Sequence, residues 1–203
     1  MGGPDNAAKA VTSIDIPSYG KLSMAPDASA PLMVVFGGID VGGIHSGVYM
    51  WNYMSRIKDR FHIFVARSNA VNGSLAYRSL MSTLQAQGLT PSQQILYLFS
   101  GGYRPGMDLL PSSGPDLFSS IYLVDIWMGV TQRSGSTVPD FYKALVDGNA
   151  AKITYVYTTF GANNDKARDY IANKLGPHRA ILVKGQGMQV HMGTNTVAVS
   201  TLP

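Results

Sequence analysis

The chain has 203 residues, 16 basic and 12 acidic side chains for a net charge of +4, and no cysteine. The length suits one domain with a sizeable core. At 14%, the charged fraction is well under the roughly 25% of an average soluble protein, which argues against a nucleic-acid partner. Without cysteine there is no disulfide, no thiolate metal ligand and no thiol nucleophile. No run approaches the roughly 18 apolar residues of a transmembrane segment. Met1–Leu22 also lacks the apolar centre of a signal peptide. The chain therefore reads as soluble, either cytoplasmic or secreted after loss of a leader.

Residues 1–30 are rich in Gly, Pro, Ala and Ser and read as a flexible arm, with one weak edge-strand candidate at Ile14–Ile16. From Pro31 onward, short apolar runs recur at Leu32–Phe36, His62–Arg67, Ile95–Phe99, Ile121–Ile126, Ile153–Tyr157 and Ala180–Lys184. Their starts lie about 26 to 33 residues apart, the length of a βαβ unit. The runs are mostly continuous rather than alternating, as expected of parallel strands covered on both faces.

Helices are expected over Val48–Lys58, Leu75–Gln85, Pro139–Val146 and Asn164–Leu175. Asn72 or Ser74 would cap the second of these and Gly88 would stop it. Gly176 and Pro177 would end the fourth. Arg104–Leu117 and Thr131–Val138, broken by Pro, Gly and Ser, read as irregular loops. The expected architecture is α/β. It has an open, mostly parallel sheet of about six core strands with helices on both faces, forming a single domain over residues 31–203.

In such a sheet the ligand crevice lies outside the carboxyl ends of the strands, so the residues after each strand carry the functional argument. The first is followed by Gly37-Gly38-Ile39-Asp40-Val41-Gly42-Gly43-Ile44-His45. This matches neither Gly-x-Gly-x-x-Gly nor a P-loop; it is either a tight turn or a cradle for an anion. The third ends in Phe99-Ser100-Gly101-Gly102. A nucleophile on a sharp strand-to-helix turn needs such small neighbours, although Ser-Gly-Gly is also a common loop opening.

The fourth run holds Asp125 among apolar residues, where a carboxylate needs a partner. It would serve as a loop cap or orient a histidine. Asp165, after the fifth strand, is a helix N-terminal residue or a second candidate acid. His191 follows the sixth strand, as a packed imidazole or a general base, and His45 is held in reserve. No spacing such as His-Glu-x-x-His suggests a metal.

Ser100, Asp125 and His191 occur in the order nucleophile, acid, base, each at or after the end of an expected parallel strand. Together with the Gly37-Gly38 loop, they make residues Pro31 to Gly193 resemble the α/β-hydrolase superfamily, in particular compact bacterial members without a lid. The resemblance implies that Ser100 accepts the acyl group, that His191 is its base, and that Asp125, or alternatively Asp165, holds the imidazole. It also implies an oxyanion site built from Gly101 with Gly38 or Ile39, Tyr103 beside the substrate, and no metal or organic cofactor.

The superfamily prefers a small residue two before the nucleophile, where this chain has Leu98. The expected function is hydrolysis of an ester or amide, on a small molecule or a polymer end. Two alternatives use the same fold: a non-catalytic binding module, and an anion- or nucleotide-binding domain centred on Gly37–Gly43.

Overall fold

The computed structural model of the chain describes residues 12–126, 137–159, 165–185 and 187–203. Its strands are β1 (Thr12–Ile16), β2 (Gly20–Met24), β3 (Leu32–Phe36), β4 (His62–Ala66), β5 (Gln94–Phe99), β6 (Ser120–Val124), β7 (Ile153–Tyr157) and β8 (Ala180–Leu182). Its helices are α1 (Ser46–Met54), α2 (Gly73–Ala86), α3 (Tyr103–Ser113), α4 (Thr137–Asn149), α5 (Asp165–Leu175) and α6 (Met188–Ser200). All the strands join one sheet in the order β1-β2-β4-β3-β5-β6-β7-β8. β2 pairs antiparallel with both β1 and β4, and the other neighbouring pairs are parallel.

The continuous apolar runs have a structural cause. Successive side chains of a strand point to opposite faces, and here both faces are covered. Leu32, Val34 and Phe36 of β3 face one apolar cluster with Leu96 and Leu98 of β5, closed by α2, α3, α4 and α5. Met33 and Val35 face the other with Ile95, Tyr97 and Phe99, closed by α1 and α6. The result is the expected α/β arrangement of mostly parallel strands between two helical layers.

Three elements differ from the sequence expectation. Within the segment read as an arm, residues 12–24 form the β1–β2 hairpin; the edge-strand candidate Ile14–Ile16 falls in β1, and the unexpected strand is β2, which has no clear apolar pattern. It seats against β4 because Gly20 carries no side chain; a Cβ there would lie 2.2 Å from the Val65 carbonyl oxygen. Residues 103–113, expected as an irregular loop, form α3. Pro105 falls in its first turn, where a missing N–H costs least.

The third difference is α6, whose Gly193 and β-branched residues are poor helix formers. It is held by packing and by tertiary bonds. Tyr97 Oη donates to the buried Asn195 Oδ1 at 2.8 Å, and Tyr122 Oη donates to the Thr201 carbonyl at 3.0 Å. The expected loop over Thr131–Val138 lies mostly outside the described residues. Among the described residues, no helix is long and apolar enough to cross a membrane.

Candidate active site

Parallel strands bring their carboxyl ends to one edge of the sheet, and the singled-out residues gather there. Ser100 follows β5 with a φ of +50°, a left-handed conformation that a non-glycine residue adopts only where its surroundings enforce it. A tight turn over Ser100–Gly102 then runs directly into α3. Gly102 makes the turn possible, since a Cβ there would lie 2.2 Å from the Phe36 carbonyl oxygen. Leu98 does not crowd this bend. Its side chain occupies the space left open by Gly106 of α3, where a Cβ would lie 2.6 Å from Leu98 Cδ1.

Asp125 follows β6, also with a positive φ, of +40°. Its carboxylate is almost fully buried and fully engaged. Oδ1 accepts the Thr158 N–H at 3.0 Å, and Oδ2 accepts the Thr158 hydroxyl at 2.8 Å. Oδ2 also meets His191 Nδ1 at 2.6 Å. A carboxylate can only accept, so the proton of that bond sits on Nδ1, and the lone pair of the neutral ring is on Nε2. Asp125 is thus the acid that the structure brings to His191. Asp165 opens α5, and its side chain lies outside the described residues.

His191 sits in α6 rather than in a loop beyond the last strand. Its ring stacks on Phe99, the residue before Ser100, with centroids 4.7 Å apart. Ser100 Oγ makes no hydrogen bond among the described residues.

The loop after β3 approaches the bend from the other side. A Cβ on Gly38 would lie 3.2 Å from Ser100 Cβ, and one on Gly101 would lie 3.0 Å from the Ile39 backbone nitrogen. Tyr49 Oη holds the next peptide, donating to the Ile39 carbonyl at 2.8 Å. Burial, reinforced by the nearby Asp40 carboxylate, pushes the Tyr49 phenol up to about 12, so it remains a donor at neutral pH. Asp40 ties down the rest of the loop. It accepts from Ser46 N–H and Ser68 Oγ and pairs with His45. Partial burial opposes ionisation of Asp40, but these bonds outweigh it and hold the carboxyl below its usual range.

Further along, Gly42 and Gly43 supply the positive φ values of a two-residue turn, closed by paired bonds between Val41 and Ile44. His45 belongs to the Asp40 cluster and not to the Asp125 pair. Tyr103, expected beside the substrate, is 4% exposed and packs in the apolar layer with α2 and α3. Its hydroxyl accepts from Arg104 Nε at 3.2 Å.

Two residues at this end of the sheet carry little sequence signal. Thr158 opens a polar turn after β7, and Asn69 follows β4 in the ordinary-looking run Arg67-Ser68-Asn69. Among the described residues no three His, Asp or Glu side chains gather in a metal-binding group. A cavity of about 620 Å³ lies apart from Ser100, between the hairpin, α1 and β4, and includes Trp51, His45 and Arg67 in its lining.

No protein-family model and no curated protein matches the sequence. Solved structures do match the fold. A cold-adapted esterase from an Arctic intertidal metagenomic library is 12% identical with a TM-score of 0.54, covering 91% of this chain and 88% of its own. TT1662 from Thermus thermophilus is 10% identical with a TM-score of 0.53 and covers 94% and 95%. MenH from S. aureus is 11% identical with a TM-score of 0.52 and covers 90% and 97%. The strand order, the bend after β5 and these likenesses agree: the chain has the α/β-hydrolase fold.

Proposed function

We propose that the protein is a serine hydrolase that cleaves an ester or amide through an acyl-enzyme on Ser100, with no cofactor required by the chemistry. The observation that carries this reading is the 2.6 Å bond between Asp125 and His191 at the sheet edge that also presents Ser100 in a left-handed bend. The imidazole of a substrate-free site often closes on its serine only when substrate is bound.

In the first half-reaction His191 Nε2 takes the Ser100 proton as Oγ forms a bond to the substrate carbonyl carbon, and the carbonyl π electrons move to oxygen. Asp125 keeps the imidazole in the required tautomer and stabilises the imidazolium. The Gly101 N–H, next to the nucleophile, and the Ile39 N–H are the backbone donors for the oxyanion. The imidazolium then protonates the departing alcohol or amine. Water, deprotonated by the same histidine, releases the acid. A related fold occurs in an esterase, which is an analogy of scaffold rather than an assignment of activity.

The test is intact-mass analysis after incubation with a fluorophosphonate. One phosphonyl group should add to the protein, peptide mapping should place it on Ser100, and Ser100→Ala should remain unmodified. Folded protein that stays unlabelled at millimolar probe would refute the proposal.

A further inference from the structure

Asn69 lies three residues beyond β4, at the same sheet edge as Ser100. It is 7% exposed, and its Nδ2 is buried with no hydrogen-bond partner among the described residues. A buried amide left unpaired is a net cost to folding, and its placement suggests why it is kept. A Cβ built on Gly101 would lie 2.8 Å from Asn69 Nδ2 and 3.0 Å from the Ile39 backbone nitrogen. Two nitrogen donors therefore converge on one point beside the residue that follows the nucleophile, and glycine leaves that point open.

The backbone segment that carries the amide is also held in place. The Ala70 N–H bonds to Ser68 Oγ at 3.1 Å, and that hydroxyl donates to Asp40 Oδ2 at 2.9 Å. Asp40 belongs to the loop that carries Ile39 and also accepts the Ser46 N–H. The segment bearing Asn69 and the loop bearing Ile39 are thus tied to a single carboxylate. Donors fixed before the reaction are the kind that stabilise charge developing during it.

We infer that Asn69 is a catalytic residue of the oxyanion site, its side-chain N–H adding a third donor to the backbone N–H groups of Gly101 and Ile39. This rests on the hydrolase reading above. When Oγ of Ser100 bonds to the carbonyl carbon and its proton passes to His191, the electron pair displaced onto the carbonyl oxygen is met by Asn69 Nδ2. The orphaned donor of the resting protein is satisfied only in that state, so the interaction favours the transition state over the bound ester.

The experiment follows the second-order rate of Ser100 phosphonylation by a fluorophosphonate, whose phosphoryl oxygen takes the oxyanion's place, in the full chain and in Asn69→Ala and Asn69→Asp. Loss of one such donor lowers rates by about 100-fold or more, and that is the expected slowing for Asn69→Ala. The isosteric Asn69→Asp, which replaces a donor by a like charge, should be at least as slow. Because Asn69→Ala removes an unpaired group, its Tm should equal or exceed that of the parent, which a structural asparagine would not allow. Labelling within threefold of the parent, or a fall in Tm on Asn69→Ala, overturns the inference while leaving the serine-hydrolase reading intact. A parent protein that is not labelled at all removes both.

Discussion

Among the described residues, three that are not glycine hold a positive φ: Ser18, Ser100 and Asp125. Each such position costs on the order of 1–3 kcal/mol, and two of the three are at the candidate site. Both are over-determined by neighbours. The Asp125 N–H bonds to the Val156 carbonyl at 2.6 Å, and its carboxylate is gripped by Thr158 and His191. Ser100 is fixed by the close approach of Gly102 to Phe36 and of Gly38 to its own Cβ. Strain of this kind aims a side chain away from where a regular strand would send it. For Asp125 the consequence is a carboxylate turned to the α6 histidine; for Ser100 it is a hydroxyl at the apex of a bend.

At the scale of elements, the seating of α3 on β5 decides whether the bend can form. Leu98 and Gly106 act as one packing unit, since a methyl group at Gly106 would press on Leu98 Cδ1 at 2.6 Å. Gly106→Ala should destabilise the protein by about 1–3 kcal/mol through overpacking, and Leu98→Ala by about 2–5 kcal/mol through a cavity. In the Leu98→Ala background the added methyl should cost less, with a coupling of at least ~0.5 kcal/mol by urea unfolding. Strictly additive losses would show that the two residues do not share that space.

This pairing also explains an expectation that the structure reversed. Read along the chain, Arg104–Leu117 holds three prolines within a run of Gly and Ser and looks irregular, because the space that makes Gly106 valuable belongs to a strand eight residues earlier. The α6 helix was hidden in the same way, its support coming from Tyr97 and Tyr122 across the sheet. The parallel core strands were legible because burial on both faces writes an apolar run directly into sequence. Ser100, Asp125 and His191 stood out as polar residues at the ends of such runs. Asn69 did not, because its meaning lies in a donor left unpaired in three dimensions.

The whole molecule carries a pH dependence that starts from a histidine outside the site. His62, at the start of β4, is fully buried, with Nδ1 accepting the Ala25 N–H at 3.1 Å and Nε2 facing the Ala28 carbonyl at 3.2 Å. Both contacts suit a neutral ring. Burial lowers its affinity for a proton below the ordinary 6.5, against opposing contributions from the Ala28 carbonyl and Asp27. The unfolded chain binds that proton as pH falls through 6.5 while the folded protein does not. The stability linked to His62 is therefore complete above 6.5 and lost as pH falls toward the lower folded value. Thermal melts of His62→Gln, which can both donate and accept without ionising, should lose less Tm between pH 7 and 5.5 than the parent. Equal losses in the two proteins would place the acid sensitivity elsewhere.

The architecture also unites residues from almost the full length of the chain, Ile39, Asn69, Ser100, Asp125, Thr158 and His191, at one end of the sheet. Activation of Ser100 by His191 is read by acid-quenched peptide mass spectrometry after mixing with p-nitrophenyl butyrate. A butyryl group should form on the Ser100 peptide of the parent, and its rate of formation should fall by at least about 1000-fold in His191→Ala. An acyl group carried on another residue, or His191→Ala acylating Ser100 at the parental rate, would contradict that activation.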